Sequence, residues 1–251
     1  MPDPFLRGGH GDQLRAADLL HRRHQRDRRQ AEDQARAHPW RSAELEAGKS
    51  HLTRAALVAL QAECRACHVC ADQGIIAEAN PTFEGRWSAP FFIVGQAPGP
   101  AERETRRPFS GRAGKELDRW MLRAGFRDPE EFRRLTYIAA LMRCFPGRNR
   151  SNSGDLPPPP KGIANCAHWL DTELRLLKPK VMIPVGQMAI SRFLGPAPLE
   201  ERVGLSFGKR PVMIPLPHPS GQNRWLNSAA NRERLAAALA LIGEQRAKFA
   251  P

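Results

Sequence analysis

Four short apolar runs interrupt an otherwise polar chain, at residues 91–94, 137–141, 181–185 and 212–216. Each is four or five residues long, too short for a helix and bounded by Gly, Pro or polar residues, so each predicts a buried strand. Helical spacing fills the gaps between them. Residues 111–125 place Leu117, Trp120, Met121 and Ala124 on one face, with Gly125 as the stop. Residues 161–177 predict a helix carrying Cys166 and Trp169 on its early turns, a short helix follows the third run through Leu194, and an Ala- and Leu-rich helix spans 228–247. Upstream, Leu52, Ala55, Leu57, Val58 and Leu60 predict a helix over 52–63 that delivers Cys64 and Cys67 at its end. Residues 71–89 read as irregular, and 145–160, ending in four prolines, as an extended loop. Strands alternating with helices predict an α/β fold, a four-stranded parallel sheet with helices on both faces.

Residues 1–50 break this pattern. After Leu14, Leu19 and Leu20 come His21, Arg22, Arg23, His24 and a mixed-charge stretch with very few large apolar groups. Little there offsets the entropy of ordering, so the segment reads as a frayed helix or flexible arm, with residues 51–251 as the folded domain.

Charge changes the picture next. The chain carries 39 Lys and Arg against 26 Asp and Glu, a net +13. The first fifty residues hold ten basic and eight acidic groups, contributing only +2, so about +11 belongs to the folded body. Such an excess marks a surface that meets polyanions, nucleic acid first among them. No apolar run approaches the roughly 20 residues that cross a bilayer, and the start is polar and contains acids, unlike a secretory leader. The expectation is a cytoplasmic protein without a membrane partner.

Two groups of residues carry chemistry. Five cysteines fall at Cys64-x2-Cys67-x2-Cys70, Cys144 and Cys166, which in a reducing compartment reads as metal or iron–sulfur ligation rather than disulfides. The first strand runs into Gly95-Gln96-Ala97-Pro98-Gly99, and the fourth into Pro217-His218-Pro219-Ser220. Parallel α/β sheets bind ligands at the carboxyl edge, where these two strand ends can converge.

Taken in order, these motifs resemble the uracil-DNA glycosylase superfamily, and most of all its family 4, the iron–sulfur branch. The correspondence runs from Cys64 and Cys67 through Gly95 to Gly99, Arg106-Arg107-Pro108-Phe109-Ser110-Gly111, the strand leading into Cys144, the helix holding Cys166, and His218-Pro219-Ser220. It covers about residues 60–245. The resemblance implies a three-layer α/β/α sandwich, a monomer, and a catalytic domain over 51–251 that excises uracil from single- or double-stranded DNA. It also implies a [4Fe–4S] cluster on Cys64, Cys67, Cys144 and Cys166, with zinc as the other metal a four-cysteine site takes. Cys70 has no counterpart, and is either a spare thiol or a replacement for Cys64 or Cys67. By the same resemblance Gly95, Ala97, Phe109 and Ala140 line the base pocket, Phe109 stacking on the base, while His218 stabilises the leaving base. Ser220, Asn223 and Arg224 then suit phosphate contacts, and Trp225 or Leu226 the wedge that fills the vacated stack.

Two positions depart from the family pattern. Gln96 stands where family 4 has an acid, and Ala140 where it has an Asn that reads uracil against cytosine. Gln96 can orient a water but cannot accept its proton. Two other readings follow: excision of hypoxanthine or xanthine, and an iron–sulfur DNA-binding protein that has lost catalysis. The loop at 145–165 has Arg148 and Arg150 but no His, unlike a sister branch that traps its product covalently, so turnover is expected.

Overall fold

The apolar runs become β1 (Phe91–Gly95), β2 (Thr136–Ala140), β3 (Val181–Pro184) and β4 (Val212–Met213) of the computed structural model. They form one sheet in the order β2-β1-β3-β4, every neighbouring pair parallel. Residues 50–149, 151, 154–221 and 223–249 are described, together with Gln25, Arg26, Arg29 and Asp33, which are helical and exposed. The arm expected over 1–50 therefore lies almost entirely outside the described residues.

The period of two along each strand sorts side chains into two cores. Phe92, Val94, Tyr137, Ala139, Met182 and Met213 face one side; Phe91, Ile93, Ile138, Val181, Ile183 and Ile214 face the other. Phe91 through Val94 are wholly buried, each side chain worth about 1.5–3 kcal/mol in transfer from water. This is why the strands read as continuous apolar runs. The first core is closed by α1 (Ser50–Arg65), α6 (Pro160–Leu177) and α7 (Gln187–Leu194), through Leu57, Leu170, Leu174, Ile190 and Phe193. The second is closed by α4 (Arg112–Arg123), α5 (Pro129–Leu135) and α8 (Ala229–Ala247), through Leu117, Trp120, Phe132, Leu235 and Leu239. The result is the expected three-layer sandwich.

Three short helices were not legible: α2 (Val69–Asp72), α3 (Pro100–Thr105) and α5. At four to seven residues they present no full period, although α5 starts on Asp128, whose Oδ1 accepts the Glu131 N–H at 2.6 Å, with Pro129 next. The fourth strand is shorter than its apolar run. Pro215 has no N–H for the ladder, yet the pairing direction persists, for Leu216 N–H donates to Pro184 O at 3.0 Å and Gly186 N–H to Leu216 O at 2.9 Å. Residues 71–89 are irregular as expected, apart from the last two residues of α2 and an antiparallel bridge between Glu84 and Ile138. No described helix is long and apolar enough to cross a membrane.

Candidate active site

The central strand β1 ends at Gly95, which pairs in register with Ala140 at the end of β2. Beyond the ladder, Leu141 N–H donates to Gly95 O at 2.9 Å and Met142 N–H to Gln96 O at 3.0 Å, fixing the start of the turn to the exit of β2. A Cβ at Gly95 would lie 3.4 Å from Phe109 Cζ, so the Phe109 ring packs directly against the turn backbone.

Phe109 is held there against its own backbone preference. Its φ is 51°, in the left-handed region that non-glycine residues avoid. Arg133 holds this conformation from below, Nη1 donating to Pro108 O at 3.1 Å and Nη2 to Phe109 O at 3.0 Å. Gly114 permits it, because a Cβ there would fall 1.8 Å from Phe109 O. Strain of this kind, about 1–3 kcal/mol, persists where surrounding structure over-determines it.

Glu102 joins the two glycine motifs. One carboxylate oxygen accepts Gly99 N–H at 3.0 Å and the other accepts Gly111 N–H at 2.8 Å. Glu102 is 9% exposed. Sequence reading passed over it, though Glu three residues after a helix-capping Gly99 is the acceptor half of a capping box. Asp155, also passed over, lies with Oδ2 3.4 Å from where a Gly99 Cβ would stand.

His218 enters from the other strand end. Because Leu216 bridges Val185, the chain passes over Gly186, whose φ is 84° and whose absent Cβ would be 3.5 Å from the imidazole Cδ2. Ser220 N–H donates to His218 Nδ1 at 3.2 Å. Nδ1 is thus an acceptor, which leaves the proton of the neutral ring on Nε2. Burial lowers the pKa of His218, with the negative charge of Glu102 pulling the other way.

The remaining predicted residues are less alike than expected. Asn223 uses both polar atoms within its own turn, Nδ2 donating to His218 O at 2.9 Å and Oδ1 accepting Trp225 N–H at 3.1 Å. Trp225 Nε1 donates to Glu200 Oε1 at 2.6 Å. Arg224 is exposed and Ser220 half-buried, as is Ala97 beside Gln96.

On the first-core side, Cys64, Cys67, Cys70, Cys144 and Cys166 all line a single cavity, together with Arg143 and Trp169. None is in a disulfide. Helix α1 delivers Cys64, α2 Cys70, the exit of β2 Cys144 and α6 Cys166, so four separated segments meet there. Cys70, set aside in the resemblance, sits in the same wall. Burial pushes the thiols of Cys64 and Cys144 up to about 12 and that of Cys166 to about 11. Arg143 N–H points at Cys166 Sγ at 3.5 Å and Asn165 Nδ2 at Cys70 Sγ at 3.4 Å. Among the described residues no three His, Cys, Asp or Glu side chains are grouped to hold one metal ion.

Comparison with known proteins gives this geometry a family. The profile of the Uracil DNA glycosylase superfamily matches residues 82–241, which include both strand-end turns, Phe109, Cys144 and Cys166. The chain is 32% identical over 111 residues to a Type-4 uracil-DNA glycosylase of Thermotoga maritima, covering 44% of this chain and 52% of that one. It is 29% identical over 150 residues to the Type-4 uracil-DNA glycosylase of Archaeoglobus fulgidus, 54% and 68% of the two chains. A Type-5 uracil-DNA glycosylase of Thermus thermophilus is 28% identical over 166 residues, 57% and 73% of the two. The chain thus spans about half the length of the Thermotoga relative. With the fold, the order of its motifs and the matched span all in agreement, this chain belongs to the uracil DNA glycosylase superfamily, on the side of its type-4 members.

Proposed function

We propose that this protein hydrolyses the N-glycosidic bond of uracil in DNA and leaves an abasic site. The observation that supports the proposal is His218, whose Nδ1 accepts the Ser220 N–H, so that a neutral ring carries its proton on Nε2, and which lies against Gly186 at the end of β3, the strand beside the β1 end on which Phe109 packs. A glycosylase must take the base out of the stack and into a pocket that covers its face. Phe109, fixed in one conformation by Arg133 and Gly114, offers that face. As the bond breaks, positive charge grows on the sugar and negative charge on the base, so a preorganised donor aimed at a base oxygen lowers the barrier most. His218 Nε2–H is that donor. Gln96 orients the water without taking its proton, and the reaction relies on leaving-group stabilisation. Outside the pocket, Ser220 and Arg224 contact phosphate while Asn223 shapes the turn between them. Trp225, tethered to Glu200, and Leu226 both pack against the second core, and either would supply the wedge for the vacated stack.

The thiol cavity fits an iron–sulfur centre. Its donors are all sulfur, brought together from α1, α2, the exit of β2 and α6, the donor set that such a centre takes. Cys64, Cys67, Cys144 and Cys166 would hold a [4Fe–4S] cluster, with Cys70 beside them. The cluster would supply a cross-link that clips α1 and α6 to the exit of β2.

Incubation with single- and double-stranded oligonucleotides bearing uracil, hypoxanthine or xanthine, followed by alkali, tests the reading. Strand cleavage at uracil is the expected result. Ala140, buried at the register partner of Gly95, presents no amide to the base, so faster cleavage at hypoxanthine or xanthine would move the substrate. DNA binding with no cleavage of any substrate would leave the inactive reading, and a protein–DNA adduct on denaturing gels would replace turnover by trapping.

The pH profile follows from His218. Its pKa lies below the ordinary value of about 6.5, so the ring stays neutral as pH falls through that value. kcat/KM is expected to hold level down through pH 6.5 and to fall only below it. An inflection at or above 6.5, with activity rising on the acid side, would mean that the imidazolium acts instead. The unfolded chain takes up this proton first, so His218 also removes stability as pH drops from 6.5 toward its folded-state pKa.

A further inference from the structure

Arg143 lines the thiol cavity and directly precedes Cys144, yet is only 1% exposed. Its Nη2 donates to Glu173 Oε2 at 2.5 Å. Glu173 is wholly buried and accepts the Tyr137 hydroxyl on Oε1 at 2.8 Å, while Gln61 Nε2 donates to the Tyr137 oxygen at 3.2 Å. The guanidinium also stands 5.7 Å from the Phe83 ring centroid. Groups from α1, β2 and α6 thus fix the position of one buried cation.

That position leaves a deficit. Nε and Nη1 of Arg143 are both buried without a hydrogen-bond partner. A buried guanidinium with two idle donors is unfavourable unless an acceptor faces it. Glu173 does not supply one, since both its oxygens are engaged with Nη2 and Tyr137. The cavity that Arg143 lines, with Cys64 and Cys166 in the same wall, is therefore where acceptors of negative charge belong. A backbone donor reinforces the pattern, since Arg143 N–H points at Cys166 Sγ.

We propose that Arg143 is the built-in counter-charge of the thiolate-bound iron–sulfur cluster, its Nε and Nη1 donating to sulfur while Glu173 and Tyr137 hold the guanidinium in place. This rests on the cluster reading above. A cluster held by four thiolates carries net negative charge into a buried site, and hydrogen bonds and charges around the sulfurs set how firmly it is held. Arg143 is a positioning residue for the cluster; it does not touch the DNA.

The test uses the full chain purified anaerobically, with iron per chain, loss of visible absorbance to excess ferrozine, and the EPR envelope of the dithionite-reduced cluster as readouts. Arg143→Met strands Glu173, so the double variant Arg143→Met with Glu173→Met, which removes both charges, is compared with Arg143→Lys. The double variant is expected to release iron at least about tenfold faster than the unaltered protein, with a changed EPR envelope. Arg143→Lys, keeping the charge but losing the fork of donors, should fall between. Release at the unaltered rate from either variant, with an unchanged EPR envelope, overturns the proposal. Should the double variant fail to fold, the lysine variant decides on the same readouts. An iron-free unaltered protein overturns the cluster reading and this one with it, whereas an iron-loaded protein with indifferent variants overturns this one alone.

Discussion

His218→Ala is expected to lower kcat on uracil-containing oligonucleotides by about 10²–10³, the cost of deleting one preorganised donor to a developing anion. Binding of the same DNA should change little, because the charge that His218 meets does not exist in the ground state. His218→Gln, which restores an N–H at comparable reach but not at the same angle, should recover part of the loss. The prediction is sharpened by Gln96. With no carboxylate there to activate water, leaving-group stabilisation carries more of the barrier, and its removal should be felt in full. Retention of wild-type rates by His218→Ala would move the donor role elsewhere in the crevice, and a parallel fall in DNA affinity would mark His218 as a binding group.

Cys144→Ser is expected to empty the thiol cavity, taking iron from about four per chain to near zero and the Tm down by more than about 10 °C. A metal site that joins distant segments contributes several kcal/mol to folding, and a domain of this size loses roughly 2–4 °C per kcal/mol. Four segments converge on this cavity, so the loss should loosen α1 and α6 together. Cys70→Ser is the informative companion. If Cys64, Cys67, Cys144 and Cys166 are the ligands, Cys70→Ser keeps its iron; loss of iron there, with retention in Cys64→Ser or Cys67→Ser, would exchange the assignment. Differential scanning calorimetry with iron analysis separates the outcomes.

Much of the sheet was legible because burial on both faces leaves no choice of composition. Phe91 to Val94 must be apolar at every position, and a four-residue apolar run beside Gly95 has few other structures available. The proposed catalytic pair stood out for a different reason: strand-end glycine and proline turns need special residues, and Gln96 and His218 stand among them. What escaped was contributed by ordinary residues at long range. Nothing near Arg133 in sequence says that its guanidinium supports Phe109, 24 residues away. Gly114 looks like a glycine in a helix until the Phe109 carbonyl is seen where its side chain would be. Arg143 reads as one of many arginines, and only burial beside Glu173 and the thiols sets it apart. Glu102 left a local trace in its spacing from Gly99, faint because a glycine cap has no side chain to complete the box.

The exit of β2 gives the molecule a mechanical property of its own. Within residues 140–144 the chain leaves Ala140, the register partner of Gly95, ties Leu141 and Met142 to the Gly95–Gln96 carbonyls, and then anchors at Arg143, whose N–H meets Cys166 and whose O accepts Thr82 N–H at 2.8 Å. One five-residue tendon therefore has an end in each site. On the proposed reading, slack at the sulfur end, from oxidation or loss of metal, would reach the Gly95–Gln96 turn through this backbone, so a change in base selectivity is the expected companion of cluster damage.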